Sequence, residues 1–295
     1  KWIEEKSFGK IQAKNILHLE IKQLEMAFNN EDGFVSLLTF LSKLENNISV
    51  VVDAKLPHHL EILASAIKVV SKEKRFIFRT AASFINSLSG LPSNPQSTAD
   101  LVSLKSKNNE FVYKPGFIIV GSHVKLATDQ LEVLLIDDSC EGLEIPVSKL
   151  ADIFALEDCQ QAMLELECIL LSKIHDILDI KKVPVLYTSR EEIKFSSCSE
   201  RMNFGLELAE FMAILVRKIT NKLGYIISKG GITTQILLQK GLNFNHVDLK
   251  GQILPGLSIV KGNSGQYDLP VVTFPGNLGN EKTLLEALKL MESIS

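Results

Sequence analysis

At 295 residues, the chain is long enough for two domains or one large one. Its formal net charge of −3 gives no reason to expect nucleic acid or an anionic membrane as a main partner. The best apolar run, residues 204–216, is broken by Glu207 and Glu210 and repeats at helical spacing, so it reads as a buried helix rather than a membrane span.

Along the chain, strand-like and helix-like runs alternate. Residues 48–53 read as a buried strand, 57–70 as a helix, 75–79 as a strand and 81–88 as a helix. Between Gly90 and Gly116 the texture changes, with turn formers over 91–97 and a polar stretch over 105–110. A domain crossing is expected there, giving domains over 1–108 and 109–295. Beyond it come strand 117–120, helix 128–135, a helical stretch over 147–180 with a break near Glu157–Asp158, and strand 184–188. Helix 204–223, strand 225–228 and helix 233–239 follow. Then come paired strands around Pro255–Gly256, strand 269–274 and helix 281–291. Such alternation predicts an α/β fold with a largely parallel sheet, in which ligands sit beyond the carboxyl ends of the strands. Ser122, Ser189, Gly230 and Gly276 all fall at such ends.

Four widely spaced cysteines, Cys140, Cys159, Cys168 and Cys198, include no Cys-x-x-Cys pair. They read as reduced structural thiols of a cytoplasmic protein. His58–His59 opens a helix without a third ligand at suitable spacing, so no metal site is assigned.

The chemistry is expected in glycine-bearing turns. Ser228-Lys229-Gly230-Gly231-Ile232-Thr233-Thr234 and Phe274-Pro275-Gly276-Asn277-Leu278-Gly279 each join a strand-like run to a helix-like run. A residue without Cβ lets backbone approach a ligand closely, and amides at a helix start attract anions. Two such turns suggest a phosphate or nucleotide site, although a plain strand–helix connection also uses glycine. Thr233 or Thr234 is expected to cap the helix after the first turn, and Asn280 the last helix, with Glu281 in its first turn. Residues 276–283 are not a P-loop, because Lys282 does not directly follow the second glycine and the spacing is wrong. Ser122 lacks the flanking glycines of a hydrolase nucleophile but could bind base, ribose or phosphate. Asp53 suits a catalytic carboxylate or a structural cap equally, and Arg79 suits a carboxylate fork or a surface ion pair.

Taken together, Gly121-Ser122-His123, the two turns above, and Gly251-Gln252-Ile253-Leu254-Pro255-Gly256 resemble the four-carbon acid sugar kinase family. That family was formerly described as Hrp-dependent type III effector-like or as a domain of unknown function. Val52-Asp53-Ala54 and Phe78-Arg79-Thr80-Ala81-Ala82-Ser83-Phe84 are similar to its upstream pattern. The resemblance implies ATP-dependent phosphorylation of a threonate-, erythronate- or 3-oxo-tetronate-like acid on its terminal hydroxyl. It further implies Mg2+, two α/β domains, and an active-site cleft between them. An N-terminal domain would hold the acid and a C-terminal one the nucleotide. By the same resemblance Ser122, Gly230, Gly231, Ile232, Thr233 and Gly276 match ATP-contacting positions, Ile232 through its backbone only, and Arg79 is the candidate for substrate.

The family's opening Asp-Asp-x-Thr-Gly strand has no counterpart here, and Lys1 resembles a point inside the substrate domain. About half of that domain is therefore expected to be missing, and no general base is assigned. The alternative reading is a nucleotide-binding or interaction module derived from such a kinase that no longer turns over. A homo-oligomer is left open. An oxidoreductase is disfavoured because Gly-x-Gly-x-x-Gly after a first strand is absent.

Overall fold

Apolar spacing in the first ninety residues builds helices more than sheet. The computed structural model describes residues 1–90, 97–191, 193–262 and 269–293. It comprises two units, Lys1–Ser93 and Asn94–Ser295. In the first unit, helices Ile21–Asn29, Glu31–Ser42, Pro57–Val70 and Ala82–Ser89 bury Leu24, Leu37, Leu41, Leu63, Ile67 and Phe84 in a shared core. Asn30 starts the second of these, its side chain accepting from Gly33 N at 2.7 Å. Two short strands, β1 (Leu17–Leu19) and β2 (Val50–Val52), pair in parallel.

Two expectations need correction in this unit. The strand predicted over 48–53 exists as β2, but Val51 and Val52 are exposed rather than buried. Residues 75–79 form no strand: Phe76 and Phe78 turn the same way and stack at 6.0 Å, while Ile77 between them is fully exposed. Alternation alone does not make a strand where no partner offers a ladder. Of the stretch between Gly90 and Gly116 where the domain crossing is expected, residues 91–96 lie outside the described residues. The next segment carries a helix, Thr98–Val102, whose Leu101 and Val102 are buried in the core of the second unit.

The second unit is organised by one sheet. Its strands are β3 (Gly116–Val120), β4 (Cys140–Ile145), β5 (Val183–Thr188), β6 (Tyr225–Lys229), β7 (Val247–Leu254), β8 (Leu257–Gly262) and β9 (Pro270–Phe274). Their order is β4-β5-β3-β6-β9-β8-β7. The first five are mutually parallel, and the β7–β8 hairpin adds antiparallel to β9. β3 and β6 are buried at every position, as a parallel sheet covered on both faces requires. Successive side chains point to opposite faces. Phe117 and Ile119 pack with helices Val147–Phe154, Gln160–Asp179 and Cys198–Ile219. Ile118 and Val120 pack with Thr98–Val102, Lys125–Leu135 and Thr283–Glu292. The helix break expected near Glu157–Asp158 is present between Phe154 and Gln160. β4 was not anticipated; its burial alternates along Cys-Glu-Gly-Leu-Glu-Ile, the pattern of a charged edge strand. Among the described residues, no helix is long and apolar enough to cross a membrane.

Close packing within the sheet yields a stability prediction. Gly116 on β3 sits opposite Tyr225 on β6, and the tyrosine ring fills the space where a Cβ would stand. Tyr225 is itself fixed, fully buried with its hydroxyl donating to Glu292 Oε1 at 2.6 Å. Gly116→Ala is expected to lower unfolding free energy by about 1–3 kcal/mol, the usual cost of overpacking. Urea denaturation monitored by circular dichroism checks it.

Candidate nucleotide site

Neighbouring strands β3 and β6 send the chain to opposite faces of the sheet. After β3 it enters helix Lys125–Leu135 on one face. After β6 it enters helix Gly231–Ile236, whose Ile236 packs on Ala209 and Ala213 of helix Cys198–Ile219 on the other. A crevice opens at such a switch point, beyond the carboxyl ends of the strands.

Backbone ladders continue past the strands and hold three loops together there. Gly121 N donates to Lys229 O at 3.1 Å, and Gly230 N donates to Phe274 O at 2.9 Å. Ser122 is the meeting point. A Cβ on Gly276 would lie 2.5 Å from Ser122 Oγ, and one on Gly230 would lie 3.3 Å from Ser122 N and 3.2 Å from Thr233 Oγ1. A Cβ on Gly121 would run into the Thr233 hydroxyl. Ser122, Gly230, Thr233 and Gly276 are thus brought into one cluster from loops more than a hundred residues apart at the extremes. Gly231 has open space where a Cβ would be, and Ile232 is 60% exposed, so both stand at the mouth.

The predicted caps differ from those observed. Gly230, at φ +119°, is the N-cap of helix Gly231–Ile236, and no side chain caps it. Thr234 instead turns back to the strand, its hydroxyl 3.1 Å from Ser228 O and 2.9 Å from Ser228 Oγ. The first amides of a helix have no intrahelical acceptor, and among the described residues no N-cap side chain supplies one here. The last helix starts later than expected, with Lys282 as N-cap and Glu286 rather than Glu281 in the first turn. Asn280 serves the turn before it, accepting from Lys282 N at 2.9 Å. Gln130, fully buried, ties that turn to the neighbouring helix through Leu278 O at 3.0 Å and Asn280 O at 2.6 Å.

Two cations in the site were given no role from sequence. Lys229 is fully buried, its Nζ donating to Pro275 O at 3.2 Å and Gly276 O at 3.3 Å and lying 3.8 Å from the centre of the Phe274 ring. Burial lowers its pKa to about 8. Arg190, half-buried just past β5, donates from Nη1 to Ser122 O at 2.7 Å, while its Nε and Nη2 atoms are buried without a partner among the described residues. Burial also lowers its pKa. Among the described residues, neither cation forms an ion pair with a carboxylate. Their strand-end positions are legible in the sequence; their burial is not. His123 is close by, its Nε2 3.2 Å from Thr188 Oγ1. Although much of its side chain faces solvent, local desolvation first, then the Arg190 charge, lowers its pKa.

The other candidates belong to the first unit. Arg79 is exposed, its guanidinium 4.4 Å from the centre of the Trp2 ring. Asp53 Oδ2 meets His18 Nε2 at 2.7 Å. His59 accepts from Lys55 N at 3.2 Å through Nδ1. Among the described residues, no group of three or more His, Cys, Asp or Glu could hold a metal ion.

Residues 117–284 match the family model described as nucleotide-binding C-terminal domain. The chain belongs to this family. The matched span opens in β3 and closes inside the last helix, so all three loops of the nucleotide-binding C-terminal domain lie within it. Membership agrees with the resemblance carried by those same loops. A solved protein from Salmonella typhimurium LT2, with a provisional tRNA synthase name, is 14% identical at a TM-score of 0.54, over 92% of this chain and 59% of that one. A Bordetella bronchiseptica domain of unknown function, solved with bound citrate as a domain-swapped dimer, is 16% identical at 0.49, over 93% and 59%. A Haemophilus influenzae protein with the same domain of unknown function is 15% identical at 0.48, over 95% and 60%. At 14% identity the likeness to the Salmonella protein concerns the fold alone, and the chain spans about three fifths of these proteins' lengths. No curated protein matches the chain.

Lys229 makes stability depend on pH. Its folded pKa of about 8 is below the ordinary 10.5, so between these values the unfolded chain binds a proton that the folded chain does not. Stability from this group therefore rises with pH across that window. Urea midpoints at pH 7.5 and 9.5 are expected to show a smaller upward change, or a fall, in Lys229→Met than in the parent chain.

Proposed function

We propose that the second unit binds ATP at the loops around Ser122, and that the chain is part of a kinase acting on a small four-carbon sugar acid. The observation that carries this reading is the convergence of Ser122, Gly230, Thr233 and Gly276 at the switch point, flanked by the buried Lys229 and the half-buried Arg190, neither of which meets a carboxylate among the described residues. Buried charge is retained where something compensates it, and a polyphosphate does so. Gly231, Ile232 and Thr233 would offer amides to the phosphates, with Ser122 and Gly276 closing the opposite wall. Family membership supports the nucleotide; the sugar acid rests on the resemblance of the loops and of Arg79 and its neighbours.

Phosphoryl transfer needs positioning and charge neutralisation more than covalent help from the protein. Glycine loops supply the first, and Lys229 and Arg190 contribute to the second. Mg2+ bound with the phosphates would neutralise charge on the transferring group, and phosphate oxygens commonly furnish part of its coordination. In this reading Arg79 holds the acid's carboxylate by its planar fork.

Calorimetric titration with the magnesium complex of a non-hydrolysable ATP analogue, with the GTP analogue as control, is expected to give adenine-selective binding. Thr233→Ala is expected to weaken it by about 1–2 kcal/mol. Gly276→Ala would push the Ser122 hydroxyl aside and is expected to weaken binding while barely moving the urea midpoint. Absence of nucleotide binding by the parent chain would sink the reading. ADP release on adding threonate or erythronate would separate a kinase from a module that binds without turnover.

A further inference from the structure

We propose that Arg190 binds an oxyanion of the ligand, the terminal phosphoryl group of the nucleotide, through the Nε–H and Nη2–H edge of its guanidinium. This rests on the nucleotide reading of the site. A guanidinium has five N–H donors in a rigid plane. One nitrogen, Nη1, is occupied by Ser122 O at 2.7 Å. The other two, Nε and Nη2, are shielded from solvent and meet no acceptor among the described residues. Buried donors on a charged group are costly to leave unmade, and an unexplained pair calls for a ligand or water.

Those two nitrogens share the edge that takes two oxygens of one phosphate or carboxylate in parallel. A structural arginine would turn that edge onto a side chain of the protein. Tyr187, Glu144 and Glu132 are near enough to influence the Arg190 charge. Among the described residues, none of them bonds it. Position points to phosphate. Arg190 leaves β5 beside β3, and the residue it holds, Ser122, faces Gly230 and Gly276 of the nucleotide loops. Lys229 stands on the other side of β3, but it is fully buried behind the Pro275 and Gly276 carbonyls, so Arg190 is the cation whose free edge could take the terminal phosphoryl group.

The test titrates the full chain, Arg190→Lys and Arg190→Gln with three probes: ADP, a non-hydrolysable ATP analogue, and inorganic tripolyphosphate, all with magnesium. Urea midpoints verify that the variants fold. Both variants are expected to bind the ATP analogue about tenfold more weakly, the scale of a lost charge-assisted pair, with ADP within about twofold of the parent. Arg190→Lys keeps the charge but not the edge, so its retaining full affinity for the ATP analogue overturns the proposal. Equal loss for ADP and the ATP analogue also overturns it, because Arg190 would then act only by holding Ser122. If the parent binds neither nucleotide but binds tripolyphosphate through Arg190, the nucleotide reading falls and the oxyanion assignment stands. Failure of the parent to bind any of the three overturns both.

Discussion

The divergence of β3 and β6, adjacent in the sheet and delivering their chains to opposite faces, is the constraint on which the site depends. A right-twisted parallel sheet covered on both faces has few places where two outgoing connections part. Here the parting strands carry Gly121–Ser122 and Gly230–Gly231, and β9 adds Pro275–Gly276 on the far side of β6. No long-range folding of flexible loops is needed to assemble these residues. The sheet register delivers them, and the ladder bonds from Gly121 and Gly230 extend that register into the loops.

Charge is the second constraint. An ammonium with no exposed surface, held by two carbonyl oxygens and an aromatic face, has exchanged strong hydration for weaker partners. Its lowered pKa is the thermodynamic record of that exchange. Lys229 and Arg190 each use backbone carbonyls of the site loops as acceptors, so the contacts that brace the loops also set two cations beside them. Under the proposed nucleotide reading, an anion at the loops would compensate this charge.

Much of this was legible in the sequence, for reasons that differ by element. Buried strands such as β3 and β6 announce themselves as continuous apolar runs, and helix Pro57–Val70 by its leading proline and its spacing. The glycine turns mark the strand ends, so Ser122, Gly230 and Gly276 stand out in the sequence as candidates, and the structure brings them together. β4 escaped because an edge strand with two glutamates and a glycine lacks the apolar run. Residues 75–79 misled because aromatic alternation looks like a strand whether or not a partner strand exists. Arg190 and Lys229 were unassigned because a cation at a strand end is ordinary until its neighbours bury it. Whether a lone charged side chain at a strand end is buried is set by the tertiary fold, and no local pattern encodes it.

The glycines of the site do different jobs, which sharpens the usual inference from glycine to ligand. At Gly121 and Gly276 the space a side chain would take is filled by the protein itself, by Thr233 and Ser122 respectively. These residues let loop pack on loop. Gly230 adds a backbone angle that side chains rarely adopt. Only Gly231, exposed and with nothing near its missing Cβ, has room for another molecule's atoms to approach the backbone. A nucleotide phosphate entering beside Gly231 would meet a wall already built by the other three glycines. Its contacts would then come at little cost in ordering, since the loops are held in place by the sheet and by the two cations before any ligand arrives.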